Sequence, residues 1–283
     1  MLRKILIPLD TSKFTPVAIQ VATGIANQVQ SQVGRDVVTL SGLGILDTDQ
    51  IPSGRFASMV PGKKILEEAR ENAESLVEDF RRQVLSLDFP EENVETRLVE
   101  GNPFRQIIRQ HVFSDLVVMG EKCSFPPSLN DYTTLENIYH RSSRPILITP
   151  EDPKEIHEVL MFMDGTAASS RMLYAYAHLN PFPRAKLVIL FSSREEEHYH
   201  LRGFFHDVVD FLERYRFEVE RIRVEGDLAE ELPGIAERRQ AGAIAMGIHA
   251  EHFLDWMRKP IHLGWSPVEN LLHSTHSVLF TVH

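Results

Sequence analysis

Short apolar runs punctuate this chain, and several of the segments between them carry apolar residues at helical spacing. The first run, RKILIPLD (residues 3–10), ends in Asp10, and HEVLMFMD (157–164) ends in Asp164. VETRLVEG (94–101) and VERIRVEG (219–226) alternate polar and apolar positions, as strands do. DLVVMG (115–120) and AIAMGI (243–248) are apolar runs ending near Gly120 and Gly247, and PILITP (145–150) and SVLFTV (277–282) follow as last strands. Between the strands, Thr15 followed by Pro16 reads as an N-cap and a first helical position, opening a helix to about Gln30. Ile65, Ala69, Ala73, Leu76, Phe80 and Val84 recur at a 3.6-residue period and predict an amphipathic helix over 63–86. Asn102-Pro103 and Asp227 open the third helix of each half, Asp227 pairing with Glu230 as a capping box.

These landmarks occur twice in the same order, with the join near residues 150–156. The expected domains are therefore 1–150 and 151–283. The two aspartates lie 154 residues apart and the glycines Gly101 and Gly226 lie 125 apart, so the first half carries 29 extra residues between its first and third strands. Most fall in 47–62, DTDQIPSGRFASMVPG, whose Gly, Pro, Ser and Asp content predicts a loop. Strand–helix alternation with apolar strands predicts, in each half, a doubly wound five-stranded parallel sheet covered on both faces. Ligands in such sheets sit beyond the carboxyl ends of the strands, where the strand order reverses. That rule singles out Asp10, Asp164, and the segments from Gly120 and Gly247 onward.

Composition narrows the class. Of 283 residues 43% are apolar and 25% charged, as in ordinary globular proteins. A single cysteine, Cys123, excludes an intramolecular disulfide and a cysteine-based zinc cage. No run approaches the length of a membrane span, and Met1 to Asp10 lacks the features of a signal peptide, so a cytoplasmic chain is expected. A net charge of −10 opposes binding to nucleic acid and to anionic membranes.

The ordered set resembles the universal stress protein family: a first strand ending in Asp, the turn Val99 to Pro103, Asp115 to Gly120, and a last strand opened by Pro145. The resemblance covers both halves. It implies an adenine-nucleotide α-hydrolase-like fold in each domain, pairing of domains through their last strands as an internal pseudo-dimer, and ATP or AMP as ligand in some members, with Mg²⁺ as a further candidate. Binding members carry Gly-x2-Gly-x9-Gly-Ser/Thr after the fourth strand, where backbone N–H groups and a helix N-terminus receive phosphate. In the first half Gly120 stands, but Cys123 replaces the second glycine and Tyr132-Thr133-Thr134 replaces the Gly-Ser/Thr. In the second half Gly247 stands, Ala250 replaces the second glycine, Gly264 survives after a bulkier stretch, and Ser266 comes one place late. The resemblance therefore favours the second half, with Asp164, Gly165, Thr166, Gly247, His249, Ala250, Gly264 and Ser266 as its site and Asp10 and Gly120 as their first-half counterparts. The bland alternatives are that Gly120 and Gly247 permit tight turns and that Asp10 and Asp164 cap the turns that follow them.

Other chemistry is sparser. Eleven of 13 histidines lie in the second half. His249, His252 and Asp255 would share a helical face and, with Asp164, could hold a metal; a polar loop is the simpler reading. His198, Tyr199, His200 and His206 read as the solvated face of a helix, and Cys123 as a tolerated small side chain. Ser41-Gly42-Leu43-Gly44 reads as a strand that lets neighbours approach closely. No nucleophile elbow, Walker loop, zinc-protease motif or Rossmann glycine fingerprint is present, which lowers the expectation of a dedicated enzyme. Three readings follow: a stress-response regulatory protein with at most one adenine-nucleotide site, a protein-partner module without nucleotide chemistry, and a weak metal-dependent nucleotide hydrolase. Further assembly into a homodimer stays open.

Overall fold

A computed structural model describes residues 1–34, 37–48, 62–124, 138, 141–192, 203–225, 228–247, 271–272 and 274–283. The chain divides into two compact units, Leu2–Arg144 and Pro145–His283, the latter taking in Met1.

In the first unit the strands are β1 (Lys4–Leu9), β2 (Thr39–Leu46), β3 (Val94–Glu100) and β4 (Leu116–Gly120), in the order β3-β2-β1-β4, all parallel. The helices are α1 (Phe14–Val33), α2 (Gly62–Ser86) and α3 (Pro103–His111). β1 and β4 are buried almost throughout, while the edge strand β3 is only partly covered, which is why its sequence alternates. Gly42 in β2 leaves room for α2: a Cβ there would lie 2.5 Å from the Phe80 ring, so the strand admits close packing, as its glycines suggested.

α1 begins earlier than Thr15-Pro16 suggested. Lys13 is its N-cap and makes no side-chain cap bond, and Thr15 lies within the first turn. The Thr15 hydroxyl is drawn instead to Asp10, and Pro16 still sits where a helix has no N–H partner to lose. α1 ends at Val33, three residues beyond the expected Gln30, and is closed by Gly34 in the left-handed conformation. Asn102 caps α3 by accepting from the Arg105 N–H, with Pro103 at the first helical position, as the sequence implied. The buried His111 closes α3. Its Nε2 accepts the Ser143 N–H at 3.1 Å and its Nδ1 faces the Ile108 carbonyl. Burial holds this imidazole below its ordinary pKa; the Ile108 carbonyl acts in the opposite direction, and Arg144 adds to the lowering.

The second unit contains β5 (Ile146–Thr149), β6 (Glu158–Phe162), β7 (Lys186–Ser192), β8 (Val219–Val224), β9 (Ala243–Gly247) and β10 (Val278–Val282). Their order is β5-β10-β9-β6-β7-β8. All pairs are parallel except β5 with β10, where Leu279 faces Ile148 antiparallel. β5 thus groups with the second half of the chain, because its buried residues Ile146, Leu147 and Ile148 pair with β10. The helices are α4 (Ala167–Leu179), α5 (Phe204–Arg214) and α6 (Leu228–Arg239). α5 buries Phe205, Val208, Val209 and Leu212 and leaves His206 exposed beside Asp210, consistent with a solvated histidine face. Asp227, His198, Tyr199 and His200 lie outside the described residues, as does most of the 47–62 loop.

At the amino-terminal edge of this sheet, Arg239 from the end of α6 forks into two carboxylates. Its Nε and Nη2 donate to Glu158 at 2.5 and 2.6 Å, and its Nη1 and Nη2 donate to Glu220 at 3.1 and 2.9 Å. Lys186 meets Glu220 at 2.6 Å. Hydrogen bonds from Lys186 and Arg239 hold the Glu220 carboxyl below its ordinary pKa, and Glu158 and Glu220 raise that of Arg239. The paired groups join three neighbouring strands to α6, at the end of the sheet opposite the crevice.

Candidate functional site

In the first unit the strand order reverses between β1 and β4; in the second it reverses between β6 and β9. The residues that the sequence nominated flank these two points. Asp10 follows β1 directly and Gly120 ends β4, while Asp164 follows β6 and Gly247 ends β9.

The two aspartates share a motif and differ in commitment. Asp10 Oδ1 accepts the Ser12 N–H at 2.9 Å, and Asp164 Oδ1 accepts the Thr166 N–H at 2.9 Å. Each carboxylate therefore builds an Asx-type turn, the capping role anticipated as the simpler reading. Asp10 then goes further. Its Oδ1 also accepts the Thr15 hydroxyl at 2.5 Å, and its Oδ2 accepts the Ser124 N–H at 2.8 Å. Thr11 and Ser124 hydroxyls meet at 2.9 Å across the same gap. Both oxygens of a residue only 7% exposed are thus consumed in tying the first turn to the segment after β4. Asp164 is half-buried, and its described bonds, to the Thr166 N–H and hydroxyl, use Oδ1 alone.

Thr166 continues the second-unit motif. It is the N-cap of α4, its hydroxyl accepting the Ser169 N–H at 3.2 Å. Gly165 has φ 78°, a left-handed conformation that costs other residues about 1–2 kcal/mol. The first turn of α4 carries no acidic side chain, so its helix dipole stays uncompensated by charge beyond the carboxyl end of β6. In the first unit the buried Glu121 follows Gly120, placing an acid where a phosphate loop would start. Cys123 is buried beside it, away from the solvent that a redox sensor needs.

Gly120 and Gly247 have a purpose the sequence did not reveal. Neither adopts positive φ, so neither is required by a tight turn. Each is a site of close helix–strand packing. A Cβ on Gly120 would lie 2.2 Å from the Phe14 Cβ at the start of α1. One on Gly247 would lie 2.2 Å from the Ala168 carbonyl carbon and 2.3 Å from the Ser169 nitrogen, in the first turn of α4. Both halves therefore lay the first helix of the half on the end of its fourth strand. The glycines seat the helix N-terminus against the carboxyl end of that strand.

Ser12, Thr15, Ser124 and Ser169 complete these turns and were not singled out as site residues. The hydroxylic character of Thr11-Ser12 and Gly165-Thr166 after each strand was the available signal. His249, Ala250, Gly264, Ser266, His252 and Asp255 lie outside the described residues. Among the described residues no group of three or more His, Cys, Asp or Glu is placed to hold a metal ion, and no helix is long and apolar enough to cross a membrane.

No protein-family model and no curated protein matches this chain by sequence. Solved structures do match its fold. A universal stress protein from Archaeoglobus fulgidus DSM 4304 is similar over 99% of this chain and 95% of its own length, at 16% identity and a TM-score of 0.66. A putative universal stress protein from Pseudomonas aeruginosa UCBPP-PA14 is similar over 99% and 93%, at 15% identity and a TM-score of 0.53. A universal stress protein solved in complex with cAMP is similar over 52% of this chain and 97% of its own length, at 15% identity and a TM-score of 0.34. The α/β fold of this chain is that of universal stress proteins.

Proposed function

We propose that this chain is a tandem universal stress protein of halves 1–150 and 151–283, whose second half binds an adenine nucleotide, ATP or AMP, and whose first half is its structural counterpart. The observation that carries the reading is the contrast between the two aspartates. Asp10 gives both oxygens to its own chain, whereas the described bonds of Asp164 use one. The second oxygen of Asp164 would accept a hydroxyl or amino proton of the adenosine. The N-terminus of α4, capped by Thr166 and free of acids in its first turn, suits the negative charge of the phosphates. Gly165 and Gly247 set that helix in place, and His249, Ala250, Gly264 and Ser266 are the further phosphate-contact candidates that the family resemblance supplies, with Mg²⁺ accompanying ATP. The role is binding and regulation, exercised in the cytoplasm.

Native mass spectrometry of the full chain with ATP, AMP and Mg²⁺ tests the proposal. One nucleotide per chain is expected. No increment at about 1 mM nucleotide, where a site worth only about 4 kcal/mol half fills, would overturn it.

A further inference from the structure

The strongest surface feature outside the crevice lies on α3 and the segment leading to β5. The chain as a whole carries −10 charges, yet residues 101–114 contain Arg105, Arg109 and His111 and no Asp or Glu. Residues 138–149 contain Arg141 and Arg144 and again no acid. The structure brings these two stretches together. Arg141 stands over the Phe104 ring at 5.6 Å, near the start of α3, and Arg144 Nη2 donates to the Val112 carbonyl at 3.2 Å, just past its end. Arg105 and Arg109 are one helical turn apart and exposed on the same helix. Among the described residues no carboxylate pairs with any of the four arginines. The two acids that flank α3 in sequence are engaged elsewhere: Glu100 meets Arg70 at 2.6 Å, and Asp115 turns its Oδ2 to the backbone N–H groups of Arg3 and Lys4.

An apolar knob sits at one end of this basic strip. Phe113 is 70% exposed and Val112 48% exposed. An unpaired phenyl ring in water costs free energy that covering it would recover. The four arginines beside it fix the sign of what would cover it.

We propose that α3, together with Arg141 and Arg144, is a docking surface for an acidic segment of a partner protein, carboxylates on the arginines and an apolar side chain on Val112 and Phe113. Charge complementarity selects the partner. A chain of net −10 repels acidic proteins everywhere except at such a reversal, so the strip sets both the place and the orientation of the encounter. A second copy of this chain is a poorer occupant. Its exposed acids on α2, Glu67, Glu68, Glu71, Glu74 and Glu78, lie on a different surface from α3, so the contact would be heterologous and would not close as a simple two-fold dimer.

The test uses the full chain and a fluorescein-labelled peptide alternating Glu with Leu, its Lys–Leu counterpart serving as control, read by fluorescence anisotropy. The acidic peptide is expected to bind and the basic one not. Binding should weaken when salt rises from about 0.1 M to about 1 M, which shortens the screening length from about 10 to about 3 Å. Arg105→Glu with Arg109→Glu should weaken it about tenfold or more, as should Phe113→Ser, while Arg105→Lys with Arg109→Lys should largely restore it. All these positions are exposed, and an unchanged circular dichroism spectrum and melting temperature confirm folding. Equal binding of both peptides, indifference to charge reversal, or no acidic-peptide binding at about 1 mM would overturn the proposal. So would salt-sensitive dimers in sedimentation that the same charge reversals dissolve, since these would make a second copy the occupant.

Discussion

Replacing Gly247 by alanine separates two explanations of why glycine stands at the end of β9. If the residue is glycine to admit the helix, the apo protein must suffer; if it is glycine to admit a phosphate, only ligand binding should. The added Cβ would sit 2.2 Å from the Ala168 carbonyl carbon and 2.3 Å from the Ala168 oxygen and the Ser169 nitrogen. All three are backbone atoms that no rotamer change can remove. Reaching ordinary contact requires the N-terminus of α4 to retreat by about 1 Å, which loosens the buried Ala168, Ser169 and Met172 and the Thr166 cap. Overpacking of this kind costs about 1–3 kcal/mol, and a weakened cap about 1 kcal/mol more. Restricting the unfolded chain returns roughly 0.4–1 kcal/mol. The net loss is then about 1–3.5 kcal/mol, with a central value of about 2. Urea unfolding of the nucleotide-free protein, followed by circular dichroism, should show the midpoint of the second unit falling by about 1 M at unchanged slope. An unchanged midpoint would refute the packing argument and return Gly247 to the phosphate explanation.

Further outcomes follow from the same geometry. Arg239→Met removes the cation that Glu158 and Glu220 share and leaves Lys186 paired with Glu220 alone, and should cost about 2 kcal/mol after allowance for partial exposure; differential scanning calorimetry should register a fall of roughly 5 °C. His111 is held neutral in the folded state, so its contribution is complete above the unfolded pKa of about 6.5 and is lost as pH falls toward its lower folded value; protein NMR should find it titrating below 6.5, and a titration at or above 6.5 would contradict the assigned burial. Asp10→Ala removes the acceptor of three described hydrogen bonds and should cost about 2–3 kcal/mol in urea, whereas a change under about 0.5 kcal/mol would show that the carboxylate is not the tie described.

The strands were plain in the sequence because the buried ones, β1, β4, β6, β9 and β10, are nearly unbroken apolar runs with a fixed residue at the end. α2 was plain because Ala73, Phe80 and Val84 repeat on one face of a long helix. The start of α1 was misplaced for a specific reason. Thr15 has the chemistry of a cap, but a stronger acceptor, the buried Asp10, lies within its reach, and only the tertiary structure reveals that competition. The glycines at 120 and 247 were visible as landmarks while their cause was not, since the first helical turn pressing on each, through the Phe14 side chain at Gly120 and the Ala168–Ser169 backbone at Gly247, belongs to a segment about 80 or more residues away in the chain. The Arg239 fork is not legible in the sequence: Glu158 is 81 residues distant and Glu220 is 19, and only the sheet order β6-β7-β8 brings the two carboxylates within reach of one guanidinium. At the crevice the Asp–hydroxyl signature was legible in both halves. The unequal commitment of Asp10 and Asp164 was not, because it depends on where Ser124 and Thr15 come to rest.

Isothermal titration of AMP and ATP into three proteins, the unaltered chain, Asp164→Ala and Asp10→Ala, tests the central claim most directly. The account predicts one nucleotide per chain, a loss of tenfold or more in Asp164→Ala from removal of a charged hydrogen bond worth about 1.5–3 kcal/mol, and retained affinity in folded Asp10→Ala. Two nucleotides per chain, or full affinity in Asp164→Ala, would contradict it.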